Sequence, residues 1–576
     1  MLSTHSSPAV VSASAAGKLP RGALLGLLAA FVLPLFFSTD LWSGRSLSSF
    51  GVAWTMANGS LSDWLLPNVN GFAAADGGPL SYWFAALTIK LFGRLFGDVE
   101  AFHIAAGIWF AATTAAIWYA TYYLSRRDEA QPVSFAFGGE AARKDYGRLV
   151  ADIAVLLTVG SYGLIVAFHE LTPITCFLAF ASLTLFGVVL SLRHLWRGSV
   201  VAGLSIGAVA LSTTPGAGLW CFFGVWIAIF LTPDYTSRSK RAFITLSVAV
   251  ITALIWPALV FACFPSEAAT WFNTWISESV SSFSPLPITD YPWLIKNISW
   301  ITFPLWPLAA WAVYAWRDQL RQAPFIIPLS FLIVALCSIL FTGTELQTTL
   351  LYVVPSLAIL AAFGVVSLKR SRENFLDLYS GIIYSLAIVV VWLYFFAWTQ
   401  GTPVKMAYSL TRLAPEVSPH GTSVFLFILA AAATLLWIAI VFWRLFKHPV
   451  NAWRGAWMAG SGLTAVWVIV MSLFVNLIDG ARSMRPIVNE VSARMAQLDI
   501  SKEALCASNL SLSNIAAFNY WGNIHFTSPA SASWQLRAVD KNFNVETLAD
   551  GDYEPVSVFS GRPRSSEKFL LLRKKD

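Results

Sequence analysis

The chain has few charged residues for its length. Of its 576 residues only 12% are charged, whereas 57% are hydrophobic, and the mean hydropathy is +0.64. Ordinary soluble domains carry about 25% charged residues, so half of the charge that keeps a folded domain in water is missing. This deficit excludes a soluble globular protein and also a disordered, collagenous or coiled-coil chain. The composition therefore predicts a polytopic membrane protein.

Other features are scarce as well. The five cysteines, four of them in apolar runs, exclude a disulfide framework and show no zinc-binding spacing. The excess of 38 basic over 31 acidic residues is too small to indicate a nucleic-acid partner. No internal repeat is visible, and the apolar runs contain almost no charge. Both absences argue against an ion-coupled transporter, which needs ionisable groups near the membrane midplane.

Thirteen apolar runs are long enough to be read as membrane-spanning helices. They lie near 22–38, 101–124, 149–167, 173–192, 199–213, 216–232, 242–263, 299–316, 324–342, 347–368, 376–398, 422–443 and 455–477. With the N-terminus inside, the inner loops hold 20 Lys and Arg in 85 residues and the outer loops hold 6 in 134. This asymmetry follows the positive-inside rule and predicts a cytoplasmic N-terminus and an outer C-terminus.

The domain organisation follows from the same pattern. Residues 1–21 form a predicted cytoplasmic tail, 22–477 the transmembrane domain, and 478–576 a small α/β domain on the outer side. The long first outer loop, 39–100, contains the apolar segment Leu80 to Gly97, which Lys90 and Arg94 interrupt. We predict an amphipathic helix on the outer membrane surface there, because a further span would place the basic loop 126–148 outside.

The first outer loop also carries the most informative motifs. Three segments stand out, and they read Ser62-Asp63-Trp64-Leu65-Leu66-Pro67-Asn68-Val69-Asn70-Gly71, then Asp76-Gly77-Gly78-Pro79-Leu80-Ser81-Tyr82-Trp83, then Leu91-Phe92-Gly93. A later segment reads Leu350-Leu351-Tyr352-Val353-Val354-Pro355 at the start of a predicted span. This succession resembles the GT-C fold glycosyltransferases, and within them the bacterial lipid A aminoarabinose transferases and the protein-mannosyltransferase group.

The resemblance implies a fold, a site and an activity. The expected fold is an all-α polytopic membrane protein with about thirteen transmembrane helices and a small C-terminal α/β periplasmic domain. The expected activity is transfer of a sugar from a polyprenyl-phosphate donor to a periplasmic-side acceptor, such as lipid A or another glycoconjugate, in the bacterial inner membrane. A carboxylate would act as general base, and cations would stabilise the leaving phosphate.

Several charged motif positions of this family differ in the present chain. Arg45 and Ser46 stand where the family has an acidic pair, Gly77 replaces a lysine, and His103 stands at an arginine position. Most of the missing residues are cations that would hold the donor phosphate. A catalytically degenerate scaffold that binds lipid or a partner subunit is therefore the alternative function, and a flippase of lipid-linked sugar is a third.

The candidate site residues each have a functional and a structural interpretation. Asp40 is the first candidate for the base, with Glu170 and Asp76 assisting, although Asp40 could equally cap a helix end and Asp76 a turn. The predicted substrate-binding residues are Arg45, His103, His169 and Tyr82, of which Arg45 could instead contact lipid headgroups. Asp76, His103, His169 and Glu170 could instead hold a divalent metal, since histidine and carboxylate side chains are metal ligands. The sequence indicates no other cofactor.

Overall fold

The computed structural model describes residues 7–37, 40–75, 77–169, 171–281, 283–341, 349–447, 449–502, 505–527, 532–543, 553–561 and 567–575. Within these residues the protein is a bundle of helices followed by a small sheet. The helices of the first half are α1 Arg21–Val32, α2 Gly44–Asn58, α3 Leu61–Leu65, α4 Leu80–Phe96, α5 Asp98–Ser125, α6 Arg143–Val159, α7 Tyr162–His169, α8 Pro173–Ser191, α9 Leu195–Ser212, α10 Pro215–Leu231, α11 Arg238–Cys263 and α12 Pro265–Ser281.

The second half continues the bundle and ends in the C-terminal domain. Its helices are α13 Tyr291–Ile301, α14 Leu305–Ala315, α15 Ala323–Phe341, α16 Val354–Val366, α17 Arg370–Gln400, α18 Val404–Thr411, α19 Val424–Lys447, α20 Arg454–Arg482, α21 Arg485–Gln497 and α22 Leu512–Gly522. The strands are β1 Asn68–Val69, β2 Phe72–Ala73, β3 Leu505–Ser508, β4 Trp534–Asp540, β5 Tyr553–Ser560 and β6 Glu567–Lys574.

The helices coincide with the predicted spans. Among the described residues eight helices are long and apolar enough to cross a membrane. The number is up to ten if each of two sharply bent pairs, α6 with α7 (68°) and Ile288–Ile301 with α14 (89°), is counted as one span. Three shorter apolar helices, Arg21–Phe36, Pro215–Leu231 and Leu350–Val366, occupy the remaining predicted positions. A multi-pass helical membrane protein is thus confirmed, whereas the count of thirteen crossings and their orientation stay predictions.

The first outer loop folds into short elements that its sequence explains. In α3 the Asp63 carboxylate accepts the backbone N–H of Ser60 at 2.7 Å, as a helix-capping residue does. Burial alone would raise the pKa of Asp63, but hydrogen bonds from Asn68 and Ser60 outweigh burial and hold the pKa below its ordinary value. Asp63 therefore has a structural role at the start of α3.

The Asn70-Gly71 pair of the motif forms a hairpin turn. Both residues have positive φ angles, 51° and 83°, and the flanking strands β1 and β2 pair antiparallel with Val69 opposite Phe72. A two-residue turn of this type requires left-handed backbone at both central positions, which asparagine and glycine adopt most readily. The Asn70-Gly71 pair of the motif therefore forms the turn between β1 and β2, which connect α3 to the segment that precedes α4.

Tryptophan side chains hold this loop against the bundle. The indole N–H of Trp256 on α11 donates to the carbonyl of Leu65 at 2.9 Å, and Trp271 on α12 donates to the carbonyl of Pro67 at 3.4 Å. Trp83 on α4 donates to the carbonyl of Trp64 at 2.5 Å. Trp256 is fully buried and makes edge contacts with Trp271 and Trp275. These three indole N–H groups thus satisfy carbonyls of the first outer loop.

The helix α4 is the predicted amphipathic segment. It has 17 residues and is not among the described helices that are long and apolar enough to span a membrane. Ile89 and Tyr82 are buried on one face, while Leu91 and Leu95 are exposed on the other. The placement of this helix on the outer membrane surface stays a prediction.

The C-terminal domain has a four-stranded mixed sheet in the order β3-β4-β6-β5. β3 pairs parallel with β4, and the other two pairings are antiparallel. The helix α22 packs on α2, where the rings of Phe50 and Tyr520 meet edge to face at 4.7 Å. The sheet confirms the predicted small α/β region, and the contact with α2 brings that region onto the first outer loop.

The tryptophan contacts predict the stability of the loop. Replacing Trp256 by alanine removes a fully buried ring and leaves the Leu65 carbonyl without its donor, so we expect a loss of about 3–5 kcal/mol in the free energy of unfolding. Thermal unfolding in detergent and limited proteolysis between residues 60 and 80 measure the effect. The exposed Trp196→Ala serves as the control and should change both readouts little. Equal effects of the two substitutions would contradict the anchoring role.

Candidate functional site

Asp40 lies directly after the first predicted span and is buried by the C-terminal domain. Its carboxylate forms an ion pair with the guanidinium of Arg485 at 2.5 Å, and the Asp40 side chain is 9% exposed. The same guanidinium lies over the ring of Trp521 at 5.6 Å. Because Arg485 is the first residue of α21, this pair joins the first outer loop to the start of the C-terminal domain.

A second contact joins the same two regions. The indole N–H of Trp42 donates to the carboxylate of Asp479 at 2.6 Å. Asp479 and Arg482 are three residues apart in the last turn of α20, so both side chains leave the helix on the same side. The C-terminal end of α20 therefore brings Asp479 to Trp42, two residues after Asp40 in the sequence.

Two buried histidines pack beside Trp42. The rings of His103 and His169 lie 6.1 Å apart at an angle of 27°, and His169 contacts Trp42 at 4.1 Å and Trp467 at 5.3 Å between ring centroids. His103 hydrogen-bonds the backbone of Leu35. We call His103, His169, Trp42 and Trp467 the histidine cluster. Within the described part of the chain, the Nδ1 atoms of both histidines are buried without a hydrogen-bond partner.

Arg45 lines a separate cavity of about 600 Å³. The cavity lies between the start of α2, the helix α7 and the helix α13, and we call it the Arg45 cavity. Arg45 is the only charged residue among its described lining residues. The polar and aromatic residues that line it are Ser43, Tyr162, Thr172, Trp293, Asn297 and Trp300. The cavity thus combines one cation with aromatic rings and amide and hydroxyl groups.

The other predicted site residues are placed as follows. Tyr82 is buried on α4. Its hydroxyl lies close to Gly77, where a Cβ atom would come within 3.3 Å of it. Asp76 and Glu170 lie outside the described residues. Ala167 and Thr172, which precede and follow Glu170 in the sequence, both line the Arg45 cavity. The described part of the chain contains no group of three or more histidine, cysteine or acidic residues suited to a metal ion.

The predicted residues therefore fall into two places. Asp40, His103 and His169 belong to the region where the first outer loop meets α20 and α21, whereas Arg45 lines the cavity. Asp40 is not among the described residues that line this cavity. The cavity can receive an anionic group at Arg45 and stack an apolar or sugar face on Trp293 and Trp300.

Sequence reasoning missed Asp479, Arg482 and Arg485. Asp479 and Arg485 are more than 400 positions away from Trp42 and Asp40, which they contact, so no local motif predicts these pairs. The three-residue spacing of the charged residues at the end of the last apolar run is the one signal in the sequence. Burial and the neighbouring carboxylates Asp98 and Glu100 raise the pKa of Tyr520 to about 12, although Arg485 opposes this effect. Tyr520 thus lies near both acidic side chains and the Arg485 guanidinium.

The Asp40–Arg485 pair predicts a measurable coupling between the loop and the C-terminal domain. The carboxylate is buried and the arginine side chain is 41% exposed. We therefore expect Arg485→Gln and Asp40→Asn to show a coupling of about 1–3 kcal/mol in a double-mutant cycle of unfolding. The exposed pair Arg573–Glu554, whose N···O distance is also 2.5 Å, is the matched control and should couple by less than about 1 kcal/mol. Independent effects at Asp40 and Arg485 would refute the pair as a link.

Comparison with known proteins bears on the fold. No protein-family model and no curated protein sequence matches the chain. Crystal structures of ArnT from Cupriavidus metallidurans, bound to undecaprenyl phosphate and in the apo state, match with a TM-score of 0.65 and 12% identity over 96% of this chain and 97% of that one. The archaeal oligosaccharyltransferase AglB from Archaeoglobus fulgidus overlaps with a TM-score of only 0.41 and 10% identity, over 89% of this chain and 69% of that one. The chain thus shares the GT-C fold of ArnT, which confirms at the level of the fold the resemblance seen in its outer-loop motifs.

Proposed function

We propose that this protein is a membrane glycosyltransferase that moves a sugar from a polyprenyl-phosphate donor to an acceptor such as lipid A or another glycoconjugate. The observation that carries the proposal is the Arg45 cavity, which presents a cation and several aromatic rings within a GT-C fold. A similar fold in ArnT was crystallised with undecaprenyl phosphate, a lipid of the donor's chemical class. We further propose that the site faces the periplasm of a bacterial inner membrane, as the distribution of Lys and Arg indicates.

In this proposal Arg45 binds the donor phosphate. A guanidinium forms two parallel hydrogen bonds with a phosphate and stabilises the negative charge that grows there as the sugar leaves. Trp293 and Trp300 offer apolar faces for a sugar ring, and the Asn297 amide offers a donor and an acceptor for its hydroxyls. This assignment supplies one cation in place of those that the motif positions lack.

The general base must be a carboxylate that reaches the acceptor hydroxyl. Asp40 remains our first candidate, and it would act when its pair with Arg485 opens, because the guanidinium occupies a carboxylate oxygen that would accept the proton. Glu170 is the second candidate, since its sequence neighbours line the Arg45 cavity. Asp76 is the third. His103 and His169 are proposed to orient the acceptor, because their buried ring nitrogens have capacity for further hydrogen bonds.

A second function is favoured by a specific observation. Asp40, the first candidate for the base, is engaged with Arg485 and is not among the described residues that line the Arg45 cavity. A scaffold that binds a lipid-linked sugar or a partner subunit without transferring the sugar would show this arrangement. Under this alternative, donor binding depends on Arg45 whereas no glycosidic bond forms.

The test uses the purified full-length protein in lipid with radiolabelled polyprenyl-phosphate sugars and a membrane-lipid extract as acceptor. We expect label to move to a new product, and Arg45→Gln to lower kcat/KM by about a hundredfold, because one charge-stabilising donor is lost. Arg94→Gln, on the exposed face of α4, is the matched control and should retain the activity.

The base is tested in the same assay. Asp40→Asn should abolish transfer while donor binding persists, and Glu170→Gln and Asp76→Asn should reduce it less. If Glu170→Gln alone abolishes transfer, the base assignment moves to Glu170. Donor binding that requires Arg45, with no transfer from any donor to any fraction of the extract, would favour the binding scaffold over the transferase.

A further inference from the structure

An apolar groove separates α1 from α5, and none of its described lining residues lines the Arg45 cavity. Its volume is about 820 Å³. One wall is formed by apolar side chains of α1, such as Leu25, Leu28 and Val32, and the other by α5 between Ile104 and Tyr119. Leu25 and Ile108 are exposed at 62% and 43%, so the groove opens sideways to the surroundings of the bundle. A membrane-facing groove of this kind admits an acyl chain.

Two arginines lie at one end of the groove. Arg21, the first residue of α1, pairs with Asp152 at 2.7 Å and lies over the ring of Trp118 at 5.0 Å. Arg148 lines the same end and faces Asp145 only at 3.8 Å, beyond the length of a direct hydrogen bond. Trp118 also donates its indole N–H to Asp152 at 2.8 Å, which fixes the carboxylate between the two helices.

Two guanidinium groups line this end of the groove, and no carboxylate is among its described lining residues. Asp152 and Asp145, which face Arg21 and Arg148, lie behind that lining, and the Arg21 side chain is 48% exposed. Arg21 and Arg148 end the segments 1–21 and 125–148, which together hold seven Lys and Arg and four acidic residues. A phosphodiester at this position would meet two guanidinium groups while its chains enter an apolar groove.

The length of the groove agrees with such an occupant. The 12 residues of α1 rise about 18 Å at 1.5 Å per residue. One leaflet of a bilayer has a hydrocarbon depth of about 15 Å. A chain anchored at Arg21 and Arg148 would therefore extend along α1 for the depth of one leaflet, with its end near Val32.

We propose that this groove binds an anionic phospholipid from the leaflet on the side of the basic loops. Its phosphate contacts Arg21 and Arg148, and one acyl chain lies between α1 and α5. The bound lipid fills the space between two helices that otherwise have few contacts, so it is a structural component of the membrane domain. This site is separate from the Arg45 cavity and does not depend on the proposed transferase activity.

The test measures lipid binding to the full-length protein in a non-ionic detergent by native mass spectrometry. Phosphatidylglycerol, phosphatidylcholine and undecaprenyl phosphate are the probes. We expect one tightly bound phosphatidylglycerol, and Arg148→Gln should weaken its binding about fivefold, as one arginine beside a lipid phosphate contributes. Arg148 is chosen because the Arg21–Asp152 pair stays intact in this variant.

A second variant tests the groove itself. Ala111 is exposed on α5 and lines the groove, so Ala111→Trp fills the space for the acyl chain and leaves both arginines in place. We expect it to abolish the bound phosphatidylglycerol. Lys144→Gln and Ala432→Trp, an exposed inner-side cation and an exposed alanine on α19, are the matched controls and should retain it.

Three outcomes would overturn the proposal. The first is equal retention of phosphatidylcholine and phosphatidylglycerol, which would show that the arginines do not select charge. The second is phosphatidylglycerol binding that persists in Ala111→Trp, which would place the lipid elsewhere. The third is retention of undecaprenyl phosphate alone, which would assign the groove to a polyprenyl lipid.

Discussion

The structure depends on satisfying backbone carbonyls where the chain leaves its regular helices. A carbonyl that lacks both water and a helical partner costs several kcal/mol in an apolar environment. Here indole N–H groups supply the missing donors: Trp256 and Trp271 bond the carbonyls of Leu65 and Pro67, and Trp275 bonds that of Thr213 at 3.0 Å. An indole is suited to this task because its large ring packs in an apolar layer while its single donor points at a fixed acceptor.

This anchoring positions both candidate regions. The first outer loop is held from one side by α11 and α12, and from the other by the C-terminal domain through Asp40–Arg485 and Trp42–Asp479. Arg45 at the start of α2 then borders the cavity next to α7 and α13. A displacement of either support would move Asp40 and Arg45 relative to each other, so the loop couples the C-terminal domain to the geometry of the cavity.

The arrangement also explains how a GT-C fold can persist while its charged motif positions change. Arg45 and Arg485 lie at the first outer loop, at positions other than those where the family motif has lysine or arginine. The fold similarity to ArnT at 12% identity is consistent with a bundle maintained by apolar packing, which tolerates many residue exchanges.

The sequence alone determined the class of protein, the positions of the apolar helices, and the local forms of the first outer loop. Hydrophobic length, the Asn70-Gly71 turn and the Ser60–Asp63 cap depend on neighbouring residues and are therefore readable in order along the chain. The resemblance carried by the loop motifs also predicted the GT-C fold correctly.

Only the tertiary structure decided which charges meet. Asp40 precedes Arg485 by 445 positions, and nothing in the local sequence around Asp40 indicates an arginine partner. In the same way, Arg45 acquires Trp293 and Asn297 as neighbours, and Asp40 stands apart from the Arg45 cavity, because helix packing sets these distances. Ion pairs and cavities form between segments that are remote in sequence. They depend on how the helices pack against one another, which the periodicity of apolar residues along the chain does not encode.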